Sequence, residues 1–263
     1  MTTTPSSRAD VVLLHGMWGC GGTLDPVAKP LQEAGFRTFQ PTLPFHKAGL
    51  SKEDARALGE FGIQAYVAWL RDYIGSLDLA QPPILLGHSM GGLLAQHLAA
   101  EIPAAALILL APANPAGINC ITPWGVLATS NALLHILTRN PVQRPWRPIL
   151  NLCLLNDLPA DQRAQWHSSF LQESVQSYQD IVFWFLQRNR PSAVQLNSVD
   201  CPVLILGAEK DHLIRPGVVR RIAKRYPQAT LEFMPKRGHM MFFDQQAHEV
   251  GARILQWFDE QQL

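Results

Sequence analysis

The stretch LLGHSMGG at residues 85–92 sets a serine between glycines two positions away on either side, with apolar runs before and after it. A serine hydroxyl is a poor nucleophile until a base takes its proton, and the base needs a third group to hold its tautomer and balance the imidazolium. Ser89 is therefore a candidate nucleophile, and the partners to look for are a histidine and an acid. His239 lies in KRGHMMFF, just after the apolar run TLEFMP, and Asp211 lies in AEKDHLIRP, just after PVLILGA. Loops at the carboxyl ends of parallel strands are where open α/β sheets gather their chemistry. The order serine, acid, histidine suits a strand-turn-helix serine site. Weaker competitors are His88, inside the serine motif itself, His212, His248, Glu209, Asp244 and Asp157.

GHSMG, residues 87–91, matches G-x-S-x-G. In that motif the serine occupies a sharp, strained turn, and side chains two positions away would collide with neighbouring strand and helix backbones. Acyl transfer also needs a place for negative charge, supplied by fixed N–H donors. The amide of Met90, next after the serine, is one expected donor. The second is expected from the glycine-containing loop HGMWGCGG, with Met17 preferred and Trp18 in reserve. His15 is read as bracing that loop.

These residues need a rigid frame. Six short apolar runs, at 9–16, 36–41, 82–89, 105–112, 202–208 and 230–235, have the continuous apolarity of strands buried on both faces. Between them lie segments of helical spacing, such as Tyr66, Leu70, Tyr73 and Leu77, or Val250, Ile254, Trp257 and Phe258. The alternation predicts an α/β fold: a mostly parallel six-stranded sheet with helices on both faces. From 113 to 199 the alternation stops. That stretch holds Trp124, Trp146, Trp166 and Trp184, and Trp166, Phe170, Ser174, Tyr178, Ile181 and Phe185 fall at helical spacing. It is expected to be a helical cap between the fourth and fifth strands, with the core formed by 1–112 and 200–263.

Composition narrows the function. With 263 residues, 47% of them hydrophobic, the chain can bury a substantial core, and 22 Lys and Arg against 21 Asp and Glu leave no basic surface for nucleic acid. The four cysteines, Cys20, Cys120, Cys153 and Cys201, form no CxxC pair. No run is long enough to span a bilayer, and MTTTPSSRAD does not read as a secretory signal. A cytoplasmic location without membrane insertion is the expectation, with monomer and homodimer both open.

Taken in order, HGMWG, GHSMGG, AEKD and GHMMF resemble the α/β-hydrolase fold superfamily over nearly the whole chain. The resemblance implies Ser89 as nucleophile, His239 as general base and acid, Asp211 as its orienter, and the amides of Met17 and Met90 as an oxyanion hole. Serine at 89, where a carboxylate nucleophile would be an aspartate, turns the expectation away from dehalogenase and epoxide hydrolase chemistry. The expected activity is hydrolysis of a small hydrophobic carboxylic ester through an acyl-enzyme, with no metal or organic cofactor. Lactone or thioester hydrolysis, hydroxynitrile-lyase chemistry and a hydrolase-like ligand receptor are the alternatives. No lysine occurs between 112 and 199, which weakens the cyanide-releasing option. Trp18, Ser174, Tyr178, Trp184 and Met240 are the expected pocket residues.

Overall fold

The structure, a computed structural model, describes residues 8–120, 133–195, 198–243 and 247–263. Trp124 and Asp244 lie outside the described residues. The six apolar runs form β1 (Val11–Leu14), β2 (Thr38–Phe39), β3 (Ile84–His88), β4 (Ala106–Leu110), β7 (Val203–Ala208) and β8 (Ala229–Met234). They make one parallel sheet in the order β2-β1-β3-β4-β7-β8. Among the described residues two further strands, β5 (Val142–Gln143) and β6 (Glu173–Ser174), pair antiparallel with each other between β4 and β7.

The sheet separates two apolar layers, and β1 shows how. Val11 and Leu13 pack with α1 (Asp25–Glu33) and the C-terminal helix α8 (Ala247–Gln261), whereas Val12 and Leu14 share a layer with α2 (Lys52–Gly59), α3 (Ile63–Gly75), α4 (Met90–Glu101) and α7 (Pro216–Ala223). Successive strand side chains point to opposite faces, so a strand covered on both sides must be apolar at every position. On α8 the stripe Val250, Ile254, Trp257 and Phe258 is at most 1% exposed. Each such aliphatic or aromatic side chain contributes about 1.5–3 kcal/mol when fully buried.

The segment between β4 and β7 departs from the single helical face that its spacing suggests. After a helical turn that runs into the π-helical turn Leu150–Leu154 come α5 (Ala160–Trp166), β6 and α6 (Val175–Val182). Trp166 ends one helix and stacks on Phe243, with ring centroids 3.9 Å apart. Ser174 starts the next helix: its Oγ accepts the N–H of Gln176 at 3.0 Å and that of Ser177. The backbone at 173–174 is extended to pair with Val142 and Gln143, so the helical spacing across it never became one helix.

Candidate active site

Ser89 joins β3 to α4 with φ 51° and ψ −119°, a left-handed conformation that costs a non-glycine residue of order 1–3 kcal/mol. Packing holds it there. A Cβ on Gly87 would run into the carbonyl of Gly91, and one on Gly91 into the carbonyl of Leu14 on the neighbouring strand. The Ser89 backbone is also tied on both sides: its N–H donates to Leu110 O at 3.0 Å, and its carbonyl accepts Gly92 N at 2.9 Å and Ala113 N at 2.8 Å.

His239 and Asp211 meet by side chain, with Nδ1 and Oδ2 2.7 Å apart, and both are buried. The other carboxylate oxygen accepts the N–H groups of Leu213 and Ile214, each at 2.8 Å, so the acid is fixed before it orients the ring. With the Nδ1 proton donated to Asp211, Nε2 is left as the basic nitrogen. Ser89 and His239 border the same cavity, and no hydrogen bond yet joins the Ser89 hydroxyl to the ring. Such contacts commonly tighten only once substrate is bound.

His88 supports this arrangement from below. Its Nε2–H donates to His239 O at 3.0 Å, and its ring packs on His239 and Phe242. Burial first, and then the neighbouring His239, push its pKa well down, so it stays neutral. The segment between β4 and β7 holds the two loops by hydrogen bonds. Asp157 accepts Gly238 N at 2.6 Å, Asn156 donates to Lys210 O at 2.8 Å, and His212 Nδ1 donates to Leu152 O at 2.7 Å. Asp157, considered above as an acid for His239, thus holds the backbone beside that residue. Glu209 accepts Lys236 N at 3.0 Å.

The loop after β1 turns tightly at Gly16, whose carbonyl accepts Gly19 N at 3.1 Å, with Trp18 at φ 64°. A Cβ on Gly16 would lie 3.1 Å from Ser89 Cβ, so this backbone passes directly over the nucleophile candidate. Met90 opens α4, where the first N–H groups have no intrahelical acceptor. Met17, Trp18 and Met240 line the Ser89 cavity with Leu154, Phe170 and Phe243, and its free volume is about 20 Å³, little more than a water needs. Ser174, Tyr178 and Trp184 do not border it. Ser174 is committed to capping α6, Tyr178 packs on Phe183, and Trp184 lies beneath Arg190. The helical register that would set these three on one face is broken at β6.

A buried cluster that sequence reasoning missed ties the segment between β4 and β7 to this loop. His15 accepts Leu43 N on Nε2 at 3.0 Å and donates from Nδ1 to Gly16 O at 2.9 Å. Burial, and then the charge on His46, hold its pKa at about 3. His46 packs edge-on against His15, with ring centroids 5.1 Å apart, and its two nitrogens meet Pro44 O and Glu173 Oε2, both at 3.0 Å. Both partners accept, so His46 carries both protons. Glu173 also accepts Tyr66 OH and Ser174 N, each at 2.7 Å, and Ser177 Oγ at 3.2 Å. Burial works against both charges and is outweighed by the pairing: the His46 pKa is raised and that of Glu173 lowered. The pair is 127 positions apart in the chain and leaves no local pattern.

A strained serine at a strand-to-helix turn, above a six-stranded parallel sheet and beside a buried His–Asp pair, defines an α/β-hydrolase type of site. The model of the Alpha/beta hydrolase family matches residues 11–253, and the chain belongs to that family. It is 22% identical over 251 residues to the sn-1-specific diacylglycerol lipase ABHD11 of Mus musculus, covering 89% of this chain and 76% of that protein. Among solved structures it is similar to the methylesterase MES16 from Arabidopsis, with TM-score 0.71 and 17% identity over 96% of this chain and 99% of that one. It is also similar to a putative non-heme bromoperoxidase, BpoC, from Mycobacterium tuberculosis, with TM-score 0.72 and 21% identity over 97% and 93% of the two chains. Among the described residues, no helix is long and apolar enough to cross a membrane.

Proposed function

We propose that this family member hydrolyses a carboxylic ester through a covalent acyl-enzyme. Ser89 Oγ attacks the carbonyl carbon while His239 Nε2 takes its proton, and Asp211 balances the imidazolium. The oxygen that gains charge is received by the N–H groups of Met90 and Met17; removing one donor in such a site costs ~3–4 kcal/mol. His239 then returns the proton to the departing alcohol, and a water deprotonated by the same ring releases the acid. The observation that carries this reading is the buried 2.7 Å His239–Asp211 bond, with His239 and the strained Ser89 bordering one cavity. The cavity walls, Met17, Trp18, Leu154, Phe170, Met240 and Phe243, favour an apolar group next to the ester.

The test is turnover of short activated esters in a chain-length series, with matched thioesters and lactones, by the native protein and Ser89→Ala. Replacing the nucleophile is expected to lower kcat by at least ~10⁴-fold, with folding intact. A serine-directed phosphonate is expected to label the native protein and not the variant. Ester turnover surviving in Ser89→Ala would defeat the assignment.

A further inference from the structure

The Ser89 cavity holds about 20 Å³ of free space, enough for the groups next to the ester, so the far end of a longer substrate must lie on a neighbouring surface. A second, open cavity of about 400 Å³ lies on the cap, lined by Asn140, Gln143, Arg144, Trp146, Arg147 and His167 among others, with no Asp or Glu among its lining residues. In a chain whose charges nearly cancel, a concave site with two guanidinium groups and no acid concentrates positive potential. We propose that this cavity is a subsite for an anionic group, a carboxylate or a phosphate, carried at the end of the substrate remote from the scissile ester. The inference rests on the esterase reading for the bond that is cut, but not for the anion that is held.

Four observations support it. The Arg147 side chain makes no hydrogen bond or ion pair with any described residue. Arg144 is set in place by its bond to His167 O at 2.7 Å, and the fork of Arg147 beside it suits the two oxygens of a carboxylate or phosphate. His167 Nε2 donates to Asn151 Oδ1 at 2.8 Å, which fixes the ring at the cavity wall beside Arg144. Trp146 is 49% exposed beside the two arginines, an apolar plate in water that a ligand chain would cover.

The two cavities share a wall. Gln143 lines the outer one, and its amide touches the sulfur of Met17 in the inner one at 3.9 Å. Leu150 of the outer cavity and Leu154 of the inner one stand one turn apart on the same π-helical turn. A flexible thioether is the part of that wall that can swing aside, letting a methylene chain run from Ser89 to the arginines.

The experiment uses nitrophenyl half-esters of dicarboxylic acids of increasing length, with neutral nitrophenyl alkanoates of matched length, and ω-phosphorylated acyl esters as the phosphate arm. The native protein is expected to favour one anionic length over its neutral match by tenfold or more in kcat/KM, and added salt should erode the preference. Arg147→Gln, and Arg144→Gln with Arg147→Gln, should abolish it through KM while neutral esters turn over unchanged. In parallel, glutarate, adipate and glycerol phosphate are titrated calorimetrically into Ser89→Ala, a measurement that needs no turnover. Anion binding to Ser89→Ala that is lost on adding the arginine substitutions supports the subsite even if no ester is cleaved. No anion binding together with equal use of matched esters overturns it, as does an arginine variant that slows neutral and anionic esters alike.

Discussion

Glu173→Gln tests whether the segment between β4 and β7 is joined to the loop at His46 by charge. In the native protein Glu173 is fully buried and accepts four bonds, one of them from a doubly protonated His46. The His46 pKa is raised above 6.5, so its contribution to stability is complete below about that value and is lost as pH rises through the folded value. The Glu173 pKa is lowered below 4.5, so its contribution is complete above about that value and is lost as pH falls through the folded one. The pair therefore contributes most between about pH 4.5 and 6.5. Glutamine can keep Oε1 on Tyr66, Ser174 and Ser177 and turn its NH₂ toward His46 Nε2, but only a neutral His46 can accept that bond. Burial then lowers the His46 pKa, as it does for His15, and the variant loses stability as pH falls below about 6.5. Near pH 5 the expected loss is about 3–5 kcal/mol, the cost of stranding one partner of a buried pair. Near pH 9 it is about 1 kcal/mol, the difference between a charged and a neutral hydrogen bond. Urea midpoints from pH 5 to 9 read this directly, as a gap of about 1–2 M at the acid end that narrows toward the alkaline end. A gap that stays constant, or widens with pH, would refute the doubly protonated His46 and with it the charged His46–Glu173 pair.

Asp211→Asn should leave the urea midpoint within reach of the native value while kcat falls by ~10⁴, because an amide can hold the wrong imidazole tautomer and cannot balance an imidazolium; a loss under tenfold would remove Asp211 from the mechanism. Ser174→Ala removes the cap of α6 and should cost about 1–2 kcal/mol in unfolding free energy. Its kcat/KM on short neutral esters should stay native, since Ser174 does not border the Ser89 cavity, and a selective kcat/KM loss at unchanged stability would return it to the pocket.

Much of the frame was legible because the information it needs is local. A strand covered on both faces must be apolar throughout, so PILLGH and PVLILGA declared themselves as β3 and β7. GHSMG also carries its own geometry: glycines stand where β1 and α4 leave no space for a Cβ, and the serine between them has no other reason to be so flanked. Asp211 and His239 were found because each follows an apolar run that forms a strand, the buried β7 and the half-buried edge strand β8.

The chain by itself, then, determined the sheet, the strained serine and the loops that carry its candidate partners, since each follows from burial period or backbone sterics over a few residues. Only the tertiary structure decided what spans the cap. Helical spacing through Trp166 and Ser174 was broken by the pairing of β5 with β6, Asp157 went to Gly238 rather than to an imidazole, and His46 found Glu173 across 127 positions. A buried charge takes whichever partner the fold brings within hydrogen-bonding distance. No periodicity along a chain encodes that choice.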